Sequence, residues 1–306
     1  MTKVILWGSC EEYGIFCKYL HFEVLKGNMQ IEAVCLNGVH QISRIDGIEV
    51  IRVEELVSRE YDYLIDMNRQ ERAAVARILE LLRVPRSKVI LANLFQQAYF
   101  DLKRWIAVQE SKVSIISDNC WGGITYHSLG LEFLSPFINL FLESEDYLRL
   151  LENFDYYMGQ PLYLVEEKYE VNLKRNYPII GMGDIKLFFN HYTDFEQAAE
   201  IWEKRKQRIN YGNLLVEMRI ESKEALDRFL ALPFEHKIGF STVPCSEKGI
   251  MYFPIVENKY LQNKYANTIG YFVNEIASII SGEGKLYDSL KLLNHEEDYV
   301  KVVYTG

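Results

Sequence analysis

A chain of 306 residues, 49% hydrophobic and 25% charged, is long enough for two domains with separate cores, and its composition is neither disordered nor fibrous. A formal net charge of -9 argues against broad binding of nucleic acid or anionic lipid, which need clustered lysine and arginine, and leaves local sites for small anions. The five cysteines contain no CxxC pair, which points away from a disulfide framework or structural zinc; the start MTKVILWGSC has no signal-peptide pattern and no apolar run spans a bilayer, so a reducing, cytoplasmic setting is expected.

Residues 3–7 read as a strand buried on both faces and residues 11–26 as a helix. Strands are expected again at 31–36, 48–51 and 61–66, with a short helical piece at 53–58. Asn68, with Glu71 three residues on, suits an N-cap for a helix carrying Val75, Ile78, Leu79 and Leu82, which Pro85 ends before a strand at 88–91. The fold class is therefore α/β: residues 1–92 predict a Rossmann-like parallel-sheet domain, and residues 93–306 a second α/β domain entered through an amphipathic helix at 93–111.

In that second domain 113–117 and 137–142 read as strands, and Tyr147, Leu150, Leu151 and Phe154 as one helix face. Residues 163–171 are less regular. A strand at 185–190 precedes Thr193 and Glu196, a T-x-x-E capping box, and a helix with Phe195, Ala198, Ala199, Trp202 and Ile209 in its stripe. A strand at 214–220, a helix at 224–232, a strand at 237–241 and a mainly helical tail around 259–281 complete the pattern.

The stretch WGSCEEYG lies where a dinucleotide fingerprint would, yet Cys10 replaces its middle glycine and Tyr13 its third. One reading is a turn in which Gly8 serves backbone geometry. The other is a nucleotide or nucleotide sugar held at the helix N-terminus by Gly8, Ser9 and Gly14, with Asp66 lining the same crevice or capping a helix.

The stretch SDNCWGG, immediately after a strand, carries the sharper chemistry. If the second sheet is parallel, Cys120 and His191 follow strands that end at one rim, where a thiol and an imidazole make a nucleophile and its base. Gly122 and Gly123 can aim backbone amides at an anion, and Arg205 and Arg208 can supply positive charge to it. His127 lies two helical turns from Cys120, too far for contact. The plain alternative is a small buried cysteine beside two turn-shaping glycines, with Arg205 and Arg208 favouring a helix dipole. Glu143, Glu145 and Asp146 suit a helix first turn capped by Ser144, without a metal.

Together, SDNCWGG, SPFINLF with Ser135–Pro136, and NHYTDFEQAAEIWEKRKQRIN resemble an uncharacterised bacterial family, a domain of unknown function often labelled exopolysaccharide biosynthesis protein, over about residues 112–241. The resemblance implies that Asn119, Cys120, Trp121, Gly122, Ser135, Pro136, His191, Tyr192, Trp202, Arg205, Arg208 and Asn210 occupy characteristic positions; Asp118 departs from it where an amide is expected. IDGIEVI and YDYLID are similar to small Rossmann-like domains attached to sugar-modifying enzymes.

The expected function is that of an enzyme of surface polysaccharide biosynthesis, a group transferase acting on a nucleotide-linked or sugar substrate. Cys120 and His191 are its catalytic residues, and Asn119, Trp121, Gly122, Gly123, Tyr192, Arg205 and Arg208 its substrate contacts. Alternatives are a non-catalytic module binding a nucleotide or glycan precursor, and a structural partner in a polysaccharide assembly, including a homo-oligomer.

Overall fold

The computed structural model describes residues 1–38, 42–69, 72–97, 100–171, 174–254 and 286–300, with the single positions 259 and 263. The chain forms two compact units, Met1–Gln109 with Leu129–Glu132, and Glu110–Ser128 with Phe133–Gly306. The helix expected over about 259–281 lies outside the described residues apart from those two positions.

In the first unit β1 (Thr2–Gly8), β2 (Met29–Leu36), β3 (Arg44–Ile45), β4 (Ile48–Ile51), β5 (Tyr63–Asp66) and β6 (Val89–Leu91) form one sheet in the order β3-β4-β2-β1-β5-β6. Every pair is parallel except β3 with β4. Val4, Ile5, Leu6 and Trp7 are fully buried, as a central strand covered on both faces requires. Since β1 lies between β2 and β5, the strand order reverses there, and the turn into helix α1 (Cys10–Leu25) sits at the switch point.

Helix α2 (Arg72–Leu81) ends as expected before Pro85, but its start adjoins residues 70 and 71, outside the described set. The Asn68 side chain is engaged on the other side, where it donates to Asp66 Oδ1 at 2.8 Å and accepts from Asn37 Nδ2 at 2.6 Å. The single helix expected at 93–111 is two pieces, a 3-10 turn Ala92–Gln96 and α3 (Leu102–Ser111). Asp101 starts α3 by accepting from Arg104 N at 2.9 Å.

The second unit opens with β7 (Ser114–Ser117) and α4 (Trp121–Ser128), followed by α5 (Ser144–Glu152) and the short α6 (Phe154–Met158). The expected strand at 137–142 is irregular: Asn139 is left-handed with φ 63°, and only Phe141 bridges, to Phe188. Ser144 is the first residue of α5 and does not cap it. Strands β8 (Leu162–Glu170), β9 (Arg175–Met182) and β10 (Ile185–Phe188) make an antiparallel sheet in the order β10-β9-β8. The segment of least regular pattern is thus a strand, bulged between Leu164 and Glu166, whose exposure on both faces hides the period of two.

Helix α7 (Phe195–Lys206) is capped by Asp194, which accepts from Gln197 N at 2.8 Å, one residue beyond the expected Thr193. β11 (Leu214–Ile220), α8 (Lys223–Ala231), β12 (His236–Ser241) and β13 (Ile250–Tyr252) follow, with α9 (Ser289–Leu293) later in the chain. These three strands join β7 in a fully parallel sheet, β13-β12-β11-β7.

The core of this unit joins its two sheets through Phe137, Phe189 and Trp202, all essentially buried, with ring centroids of Phe137 and Trp202 5.1 Å apart. Each large apolar side chain so buried contributes about 1.5–3 kcal/mol. Among the described residues no helix is long and apolar enough to cross a membrane.

Candidate functional site

The site is built at the carboxyl end of β7. Asn119 Oδ1 accepts from Trp121 N at 2.7 Å, an Asx turn, and Ser117 Oγ donates to Asn119 O at 3.0 Å. Cys120 O accepts from Ile124 N at 2.9 Å, which makes Cys120 the N-cap position of α4. Helix α4 can lie this close to β7 because Gly122 lacks a side chain: a Cβ there would meet Ser117 Oγ at 2.8 Å and Ile115 Cγ2 at 3.0 Å.

His191 reaches this turn by another route than a shared parallel rim. Its strand, β10, belongs to the antiparallel sheet, and residues 137–142 connect it to β7. Leu142 N donates to Asp118 O at 2.9 Å, while Phe141 and Phe188 exchange backbone hydrogen bonds of 3.1 and 2.9 Å. Tyr192 is buried and donates its hydroxyl to Ile138 O at 3.0 Å. Arg205 holds that hydroxyl with Nη1 at 2.8 Å and stacks its guanidinium over Phe133. The result is Cys120 Sγ 3.7 Å from His191 Nε2, hydrogen-bonding range for sulfur.

Both partners are neutral at rest. Burial, with Glu217 and Asp118 adding to it, pushes the Cys120 thiol up to about 11. Burial around the ring, then the nearby Arg175 charge, lowers His191 below the ordinary imidazole range, although its outer side is exposed. In the tautomer that carries its proton on Nδ1, Nε2 accepts from the thiol. This is a neutral thiol–imidazole pair, not a preformed thiolate–imidazolium.

Behind the thiol lies a second constellation, in which sequence reading singled out Asn119 and noted Asp118 but missed Glu217. Asp118 and Glu217 are fully buried, and Asn119 Nδ2 lies 2.6 Å from Asp118 Oδ1 and 3.1 Å from Glu217 Oε1. Burial raises Asp118 to about 6, against the lowering effect of Arg219; burial and then Asp118 raise Glu217 well above the carboxylate range. The one available signal was a glutamate inside the apolar strand LLVEMRI. Arg175, beside His191, gave no signal at all. Its Nη2 donates to Asn190 O at 3.2 Å, while its Nε and Asn190 Oδ1 are buried without a partner.

The other expected contacts are placed differently. Trp121 is fully buried and donates Nε1 to Tyr287 Oη at 2.9 Å, so it anchors α4 in the core. Gly122 and Gly123 are buried in the same packing and Asn119 nearly so; a Cβ on Gly123 would meet Ile138 Cγ2 at 3.2 Å. Tyr192 and Arg205 hold the turn that presents His191. Arg208 is exposed after the end of α7, and His127 is in the last turn of α4.

In the first unit Ser9 and Glu12 form a capping box on α1. Glu12 Oε2 accepts from Ser9 N at 2.8 Å and Oε1 from Arg69 N at 2.6 Å, and a Cβ on Gly8 would lie 3.0 Å from Oε2. The place where a phosphate would meet the helix dipole is thus occupied by a carboxyl group, and Asp66 lies nearby in the same amide network. Gly14 is on the exposed side of α1, with nothing within 4 Å of its Cβ position. These residues do not fit a pyrophosphate at the turn.

Two family models cover most of the chain. One described as a domain of unknown function (DUF1919) matches residues 91–278, and one described as C2185-like, N-terminal, matches residues 1–90. An uncharacterized protein of Haemophilus influenzae is 30% identical over 192 residues, spanning 60% of this chain and 84% of that protein.

Proposed function

The chain belongs to the DUF1919 family, and from that premise we propose that its second unit is a cytoplasmic group transferase of surface polysaccharide biosynthesis, acting on a sugar or nucleotide-linked substrate. The observation that carries the reading is the 3.7 Å approach of Cys120 Sγ to His191 Nε2 at the carboxyl end of a parallel sheet. In the first step Sγ bonds to the electrophilic carbon of the donor while its proton passes to Nε2; the leaving group departs with the bonding pair and takes that proton. An acceptor hydroxyl then gives its proton to His191 as its oxygen attacks the same carbon; the S–C bond breaks with its electron pair on sulfur, and His191 passes that proton to it, restoring the thiol and the neutral imidazole.

Replacing Cys120 with Ser, or His191 with Gln, in a host that makes a surface polysaccharide is expected to abolish the product while the protein stays folded. Product formation intact in either variant removes the assignment. The thiol's rise to about 11 supports a second reading, a module that binds a nucleotide or glycan precursor without reacting. A thermal-shift screen with nucleotides and nucleotide sugars separates them: under this reading the Cys120→Ser protein still binds, and the host still makes its polymer.

A further inference from the structure

The Asp118–Asn119–Glu217 cluster is built for more than packing. Asn119 Nδ2 has two hydrogens, and both lie toward carboxyl groups: Asp118 Oδ1 at 2.6 Å, and Glu217 Oε1 and Oε2 at 3.1 and 3.3 Å. Its Oδ1 is taken by Trp121 N at 2.7 Å, so the whole amide is committed, one side to the acids and the other to the turn under Cys120. Glu217 lies on β11 in register with Ser117, the last residue of the adjacent parallel strand β7, and Asp118 is the residue that follows it. Tyr147 fastens those strands from α5, its hydroxyl 2.8 Å from both Ile116 O and Glu217 O.

Among the described residues compensating charge is short. Arg219 is the cation closest in sequence to Glu217; its backbone N donates to Asp118 at 3.4 and 3.3 Å, and its Nε lies 3.6 Å from Glu221. Glu143, at the start of α5, also acts on that guanidinium, while the Tyr147 and Tyr287 hydroxyls feel Glu217 as neutral groups. On the far side of Cys120 stand His191 and Arg175. Two carboxyls converging on one amide in the interior, with one shared guanidinium, do not both ionise.

We propose that Asp118 and Glu217 hold one proton between them and are positioning residues for Cys120, fixing through Asn119 the turn that aims the thiol at His191. The proton rests on Glu217 and the charge on Asp118, next to Arg219. This inference builds on the reading of Cys120 as the reacting group. A negative Asp118 behind the sulfur opposes thiolate, so the pair keeps the thiol closed to adventitious electrophiles until His191 takes its proton.

Iodoacetamide modification of the full-length chain, followed on the Cys120 peptide by mass spectrometry across about pH 6–11, gives the readout. Asp118→Asn is expected to move the rate profile to lower pH, with modification faster near pH 8 by less than the roughly tenfold that one unit of thiol pKa represents, Asp118 being the smallest of the three causes that raise the thiol. An unchanged profile overturns the proposal, because a purely structural residue would not move it. Infrared spectroscopy is the second measurement: the unaltered protein is expected to show a protonated-carboxyl band at neutral pH that Glu217→Gln removes. No such band in the unaltered protein overturns the proposal even if neither variant folds. Neither measurement needs a substrate, so an active Cys120→Ser protein would sink the transfer reading and leave both results legible.

Discussion

Each unit has a parallel sheet whose first strand ends in a turn and a helix, and the two turns are finished in opposite ways. After β1, the capping box folds Glu12 back onto Ser9 N and Arg69 N, so the helix end is filled by the protein's own carboxyl. After β7, Asn119 caps from behind and leaves Cys120 at the helix end, its sulfur turned to a histidine in the turn that follows a strand of another sheet. A switch-point loop is a place for a site without being one. What decides is whether the cap is made by a side chain that returns into the turn or by one that keeps to the buried side.

That contrast can be broken most severely at the anchor of the second turn. Trp121→Ala, which empties a fully buried ring and strands the Tyr287 hydroxyl, is expected to cost about 3–5 kcal/mol in urea denaturation, and a loss below about 1 kcal/mol would show that α4 is held by something else. Gly122→Ala is expected to cost about 1–3 kcal/mol, since the new methyl must displace Ser117 Oγ or Ile115.

A pH series isolates the acid pair. Asp118, raised to about 6, and Glu217, raised well above its ordinary value, hold protons in the folded state that the unfolded chain releases near about 4 to 4.5. Their contribution to stability is therefore greatest at low pH and is lost as pH rises through the folded values. Relative to the unaltered protein, Glu217→Gln is expected to gain in melting temperature steadily from about pH 5 to pH 8. The difference is the quantity to follow, because the lowered His191 and His295 push the unaltered protein the other way in acid.

In the first unit Gly14→Ala is expected to stabilise by about 0.5–1 kcal/mol, because it removes backbone freedom inside a helix and touches nothing. The smallest effect is at the edge of the site: Arg175→Met should raise the His191 titration midpoint in a proton NMR series without restoring it fully, burial being the larger cause. A midpoint that stays put would place Arg175 outside the site's electrostatics.

Much of the fold was legible because its signals are local. The apolar runs of β1, β2 and β11 read as buried strands, and Pro85 marks the end of the α2 region by chain geometry alone. Where neighbours override the local pattern, reading failed. β8 has no buried face to give it a period, residues 137–142 are apolar because they are buried between sheets without being a strand, and α3 starts at Leu102 because Asp101 competes for its cap. In the site, Cys120 and His191 were legible as residue types following strands, though the route that joins them was not.

By itself the sequence determined that two α/β units form, that a thiol and an imidazole follow strands in the second, and that the fingerprint at Gly8 is broken, since each follows from residue type and spacing along a few turns of chain. Only the tertiary structure decided that Glu12 fills its own helix end, that residues 137–142 carry an antiparallel sheet to the rim of a parallel one, and that Asp118 and Glu217 meet across Asn119. Those facts depend on groups up to 98 residues apart brought within hydrogen-bonding distance, and on water being excluded between them, neither of which a linear pattern specifies.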